Sequence, residues 1–238
     1  MGIHPKYKRV LIKISGHAFQ GKREAGIDFE ALKSLAAEIA EVKKMGLDIA
    51  VVNGAGNLFR GSQGAKHGMD EPAAHYIGMI ATVMNALALQ DALEKEDIPT
   101  RVLTAIEMQK VAEPYIRRRA IRHMEKDRII ICAGGIGSPF FTTDTAGVLR
   151  AIELKCDVML KASNVDGVYD KDPKTEEGAK KHDELSYKDV LEKDLKILDA
   201  TAISLAREKK LPILVFDFFQ KGNLKKVITG DKIGTMIN

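Results

Sequence analysis

Apolar positions along the chain fall into two alternating rhythms. Short, nearly uninterrupted apolar runs occupy residues 10–14, 47–52, 129–132, 158–161 and 212–216, with a weaker one at 101–103. Runs of this length without polar alternation are the mark of strands covered on both faces of a parallel sheet. Between them the spacing becomes helical. Leu32, Leu35, Ala36, Ile39 and Ala40 recur on one face behind Asp28, a carboxylate suited to cap a helix start, and Gly46 closes that helix. Residues 73–93 put Ile77, Ile80, Met84 and Leu87 on one stripe with further apolar residues around it, as in an interior helix or a subunit contact. A helix over 115–126 sets Arg117, Arg118, Arg119 and Arg122 against Ile116, Ile121 and Met124, and Thr142 or Thr143 precedes the periodic run Val148, Leu149, Ile152. Asp199 caps a helix over 200–209, a short helix covers 224–228, and the polar stretch 174–189 reads as a loop. Strands alternating with helices predict an α/β fold, a three-layer α/β/α sandwich around a mostly parallel sheet, taken as one domain over residues 1–238.

Composition narrows the function classes. An apolar content of 45% with 29% charged residues suits a globular protein, and 5% aromatic residues with no Trp give no base-stacking surface. The net charge of +4 comes from 37 basic and 33 acidic residues interleaved along the chain, which favours small anionic ligands and not nucleic acid. Cys132 and Cys156 lack metal-type or redox-type spacing and read as structural thiols of a reducing compartment. The polar, basic start has no secretory apolar segment, and no apolar run reaches the ~20 residues of a membrane span. A cytoplasmic location with no membrane partner is expected.

Chemistry gathers where strands end. Lys13-Ile14-Ser15-Gly16 puts an ammonium and a hydroxyl at the carboxyl edge of the sheet, where ligands of open α/β sheets bind. The stretch 53–61 opens into Gly54-Ala55-Gly56, followed by Arg60. Residues 129–147 run from a buried strand through Gly134, Gly135 and Gly137 into Thr142-Thr143-Asp144-Thr145, a bare turn before a helix start that suits an anion. The strand over 158–161 ends in Lys161, and Ser163, Asn164, Tyr169 and Asp172 follow it. Residues 16–22 mimic the opening of a Walker A loop, but Arg23 stands where Ser or Thr must hold Mg²⁺, so no P-loop is assigned. Taken singly, each loop also reads as an ordinary tight turn. Four together read as a phosphate site.

These loops resemble the bacterial UMP kinases of the amino acid kinase superfamily, which lack a P-loop. The likeness covers nearly the whole chain, and its most specific string is Pro139-Phe140-Phe141-Thr142-Thr143-Asp144-Thr145, joined by 13–16, 56–61, 81–88, 165–169 and 199–202. The resemblance implies transfer of the ATP γ-phosphoryl group to UMP, giving UDP, with Mg²⁺, in a homohexamer that GTP activates and UTP inhibits in some members. It carries ATP contacts onto Lys13, Ile14, Ser15, Gly16, Gly56, Arg60, Ser163, Asn164, Tyr169 and Asp172. UMP contacts fall on Ala55, His75, Ile136, Gly137, Ser138, Pro139, Phe140, Phe141, Thr142 and Thr143. Gly21, Lys22, Arg23, Glu24, Ala25 and Gly26 fall on a segment linked to GTP. Lys13 and Lys161 suit the neutralisation of transferring charge, with Asp144 and Asp199 expected to orient them and Asp144 to hold Mg²⁺.

The chain also departs from that family. Ala55 stands within a usual glycine triplet, His17 where glutamate is common, Ser138 where asparagine is common, and His75 where an aspartate contacts the UMP ribose. Neutral imidazole offers one acceptor nitrogen, so one unpaired ribose hydroxyl is expected to cost about 1–3 kcal/mol of UMP binding. The alternatives weighed are a superfamily relative with another acceptor and a nucleotide sensor without turnover.

Overall fold

The computed structural model describes residues 4–238 apart from Asp172, Lys174, Glu177 and Lys196. The amino-terminal half runs β1 (Arg9–Ile14), α1 (His17–Gln20), α2 (Phe29–Lys43), β2 (Asp48–Asn53), α3 (Gly61–Lys66), α4 (Glu71–Glu94), β3 (Thr100–Thr104), β4 (Glu113–Pro114) and α5 (Arg117–Glu125). There follow β5 (Ile129–Ala133), α6 (Thr143–Glu153), β6 (Val158–Ser163), β7 (Val168–Tyr169), β8 (Lys181–His182), β9 (Glu184–Leu185), α7 (Tyr187–Glu192), α8 (Ala200–Lys209), β10 (Ile213–Asp217), α9 (Asn223–Thr229) and β11 (Thr235–Ile237).

Nine strands form one sheet in the order β4-β3-β5-β2-β1-β6-β10-β11-β9, parallel throughout except for β11 against β10. The strands β7 and β8 pair separately as a small antiparallel hairpin. Alternation along each strand sorts the core into two layers. Val10, Ile12 and Ile14 join α2, α4 and α9 on one face, whereas Leu11 joins α5, α6 and α8 on the other. Helices thus cover both faces, as the strand and helix rhythm predicts. Lys13 follows Leu11 onto the α6 face. There Gly147 lets α6 lie close: a Cβ on it would come 3.0 Å from Met159 Sδ and 3.4 Å from Lys13 Cγ.

Local signals account for most helix starts. Asp28 accepts from the N–H groups of Glu30 and Ala31, and Thr142 from those of Asp144 and Thr145. The sequence pattern has no counterpart for α1, β4, β7 and β11, and it differs from the structure in three further regions. The expected loop 174–189 contains β8 and β9 and the start of α7, whose Ser186 and Asp189 form a capping box. The segment 61–66 is helical without apolar periodicity, because Gly61 and Gly64 press against α4, Phe59 and Met69. On α4 the stripe Ile77, Ile80 and Met84 faces outward, and the buried face is carried by Ala74, Ala81, Val83, Ala86, Leu89 and Leu93. By length and composition α4 could cross a membrane, contrary to expectation, yet that buried face packs on α2, β3 and β5 like a core helix.

Candidate active site

The carboxyl ends of β1, β2, β5 and β6 lie side by side at one edge of the sheet. Register sets what meets there. Lys13 and Lys161 are direct partners across the parallel β1–β6 pair, so both ammonium groups rise on the same face. Asp144, in the first turn of α6, reaches between them: Oδ1 lies 2.7 Å from Lys13 Nζ, and Oδ2 accepts from Lys161 Nζ at 2.7 Å. Lys161 also donates to the Ile197 carbonyl.

The helix start that carries Asp144 is held from behind. Thr142, the N-cap of α6, donates its hydroxyl to Asp199 Oδ2 at 2.5 Å, and the Thr145 hydroxyl donates to Asp199 Oδ1 at 2.8 Å. Asp199 in turn accepts from the Ala202 N–H as the cap of α8. Two helix N-termini thereby share one carboxylate beside the lysine pair. Asp199 forms no ion pair with either lysine among the described residues; it bonds the two threonines, and its negative charge acts on Lys161 from nearby.

Electrostatics follows from enclosure. Burial works to raise the Asp144 carboxyl, but Lys13 and Lys161 together outweigh it and hold the group below the usual carboxylate range. For Lys161, burial lowers the ammonium more strongly than Asp144 raises it, leaving it below the usual lysine range. Both oxygens of Asp144 face ammonium groups, and the described residues contain no cluster of three His, Cys, Asp or Glu fit for a metal. The expectation that Asp144 holds Mg²⁺ therefore does not fit this arrangement.

Two clefts flank the seam. The first, of about 260 Å³, is lined by Ala55, His75, Ser138, Phe140, Phe141, Thr142 and Thr143 among the expected residues, and also by Phe59, Met79 and Thr82. Ile136, Gly137 and Pro139 do not line it. Gly137, with φ of 86°, instead lets the turn rest on the Ala105 carbonyl. The His75 ring lies 5.2 Å from the Phe140 ring, and its Nε2 lies 3.8 Å from a Glu71 carboxylate oxygen. The second cleft, of about 570 Å³, is lined by Lys161, Ser163, Asn164 and Tyr169 and continues past Asp170 to Ile197. Asp172 lies outside the described residues. The seam joins the two clefts, because Thr143 lines the first, Lys161 lines the second, and Asp144 connects them.

The glycine loops meet beside this seam. A Cβ on Gly16 would stand 2.4 Å from the Gly56 N–H nitrogen, so the β1 and β2 loops touch. Arg60 folds back over Gly56, Ser15 joins the contact through His17, and Ile14 serves as a fold residue whose carbonyl accepts from the Gly54 N–H at 2.8 Å. Residues 21–26 lie outside both clefts. Gly26 and Asn57 exchange two hydrogen bonds of 2.8 Å, tying that segment to the second loop. Buried Asn85 braces the same loop, bonding the Gly54 carbonyl and pairing with Asn57. Thr82 supports the third loop by accepting from the Gly134 N–H at 2.8 Å. Sequence reasoning passed over Thr82, Thr145 and the Ile197 carbonyl as site residues; polar residues at otherwise apolar helix positions were the available signal for the two threonines.

Comparison with known proteins gives a consistent picture. Residues 8–217 match the sequence model of the Amino acid kinase family. The fold superposes on the UMP kinase of Bacillus anthracis with a TM-score of 0.94 and 40% identity, covering 98% of this chain and 96% of that one. For the UMP kinase of Ureaplasma parvum the values are 0.92 and 34%, over 98% and 99% of the two chains. The uridylate kinase of Archaeoglobus fulgidus is more distant, at 0.75 and 26% over 96% and 99%.

Proposed function

The chain belongs to the amino acid kinase family, among its UMP kinases, and from that premise we propose that it transfers the γ-phosphoryl group of ATP to UMP, giving UDP. The observation that carries this reading is the Lys13–Asp144–Lys161 seam between the two clefts. UMP occupies the smaller cleft beside His75 and residues 138–143. ATP occupies the larger one, with its phosphates directed toward the lysines.

Phosphoryl transfer leaves the protein little covalent chemistry, so positioning and charge stabilisation carry the rate. Lys13 and Lys161 face the transferring group from two neighbouring strands, and Asp144 keeps both tips in place when no phosphate is present. The helix starts capped by Thr142 and Asp199 add oriented N–H dipoles. The lysine-rich donor set on the protein offers Mg²⁺ no site, so the ion would come with ATP as part of the substrate, where it would neutralise phosphate charge. The outward apolar stripe Ile77, Ile80 and Met84 on α4 supports a subunit contact within a homohexamer. GTP and UTP act as effectors, and the hydrogen bonds between Gly26 and Asn57 offer residues 21–26 a route to the second loop. The protein works in the cytoplasm, in pyrimidine nucleotide synthesis.

A coupled ADP-release assay over UMP, CMP, dUMP and AMP tests the proposal. UMP is expected to give the highest kcat/KM. Absence of turnover with all four would leave a nucleotide sensor.

A further inference from the structure

We propose that His17 is a proton-gated positioning residue: as a neutral imidazole with its hydrogen on Nδ1 it holds the Arg60 guanidinium across the meeting point of the first two loops, and on protonation it releases it. The inference rests on the phosphoryl-transfer reading of those loops. Its starting observation is a contact of 2.7 Å between Arg60 Nη2 and His17 Nε2. A guanidinium has donors only and stays charged, so Nε2 must be the bare, accepting nitrogen. The hydrogen then sits on Nδ1, which lies 3.1 Å from the Ser15 hydroxyl and donates to it. The tautomer is fixed from both sides.

What this chain of contacts holds is the tip of Arg60. The Arg60 side chain makes no other hydrogen bond or ion pair among the described residues, and its Nε would stand 3.1 Å from a Cβ on Gly56. The guanidinium therefore lies over the point where the loops touch, with imidazole as its anchor. Arg60 is exposed and long, and an unanchored arginine would lose the orientation that phosphate recognition needs.

Protonation has nowhere favourable to go. The charged group facing His17 from the second loop is Arg60 itself, the β1 loop offers the neutral Ser15, and no carboxylate lies at ion-pair distance from the ring among the described residues. Among the described histidines, only His75 and His123 have carboxylate partners. An imidazolium would thus oppose Arg60 at hydrogen-bond distance. Asp144 does not compete as the source of such a response, because its carboxyl lies below the usual carboxylate range and stays ionised across neutral pH. Imidazole is the side chain that ordinarily charges between about pH 5 and 8.

The test compares wild type with His17→Gln, whose amide oxygen can accept from Arg60 but does not titrate. Both share any acid limb owed to substrate phosphate groups. Between about pH 8 and about pH 5, wild type is expected to lose about threefold or more in kcat/KM beyond the loss of His17→Gln, chiefly through KM. Superimposable profiles would overturn the gate. Independently of turnover, ¹⁵N-histidine spectra of the free protein at about pH 8 should give His17 the Nδ1–H pattern. An Nε2–H pattern would overturn the anchor itself. If the Nδ1–H pattern is found and no nucleotide is phosphorylated, the kinase reading fails while the anchor stands.

Discussion

Two charged constellations sit within one site and are built in opposite ways. The seam of Lys13, Asp144 and Lys161 is largely enclosed, its side chains 10–15% exposed, and each member comes from a strand end or a capped helix start. The rim, formed by His17, Arg60, His75 and Phe140, comes from short turns and helix starts, and its polar contacts involve imidazoles. An enclosed pair cannot lose one partner cheaply, whereas an exposed imidazole can change tautomer, charge or identity at small cost. On the proposed function, the seam governs whether phosphoryl transfer happens, and the rim governs for which acceptor.

The sharpest way to break this division is Lys13→Ala. It is expected to lower kcat by about 10³-fold with less than about fivefold change in KM for UMP, as when one preorganised charge is removed from the transition state. Steady-state kinetics checks this, and an equal effect on KM would move Lys13 to the rim.

Next in size is Asp144→Asn, which leaves two ammonium groups facing one another. We expect about 10²-fold in kcat and about 2 kcal/mol in stability, reduced from the fully buried case by partial exposure. The pH dependence has a definite sign. The folded-state carboxyl lies below its unfolded value, so the stabilisation is present above the ordinary carboxylate pKa of about 3.9 and disappears as pH falls through the lowered one. Thermal melts of wild type should lose stability along that acid limb, and those of Asp144→Asn should lose less.

A rim substitution should act on binding instead. His75→Asp is expected to lower KM for UMP by about tenfold with little change in kcat, because a carboxylate accepts from both ribose hydroxyls. The gain is held at the low end because Glu71 sits one helical turn away and opposes a second negative charge. An unchanged or higher KM would remove position 75 from the ribose contacts.

The smallest effect belongs to the back of the seam. Thr145→Val removes one hydroxyl donor to Asp199 and should cost about 1 kcal/mol, measured by denaturant melts, with kcat lowered about threefold. A full loss of activity would mean that Asp199 acts directly on the reacting groups.

Much of the seam was legible because its determinants are local. Apolar runs mark β1, β5 and β6, lysines end two of them, and a Thr-Thr-Asp-Thr string announces a capped helix. What periodicity cannot report is the side to which an apolar stripe turns. On α4 both faces are apolar, and the stripe Ile77, Ile80 and Met84 proves to be the outward one. Nor does spacing reveal that Asp199 bonds threonines and not lysines, since that depends on the packing of α6 against α8. The helix α3 was invisible for the same reason. Its glycines are helical because a neighbouring helix is close, not because of any intrinsic preference. The chain His17–Arg60 joins two turns by side-chain geometry alone, and no spacing rule encodes it.

The pairing of β1 with β6 also has a temporal side. It joins strands far apart in sequence, with β2 to β5 and the helices between them made in the interval. Contacts of such wide sequence separation close late. A chain lacking β6 already holds Lys13 and Asp144 but not the second ammonium, so the seam is complete only once β6 has paired with β1.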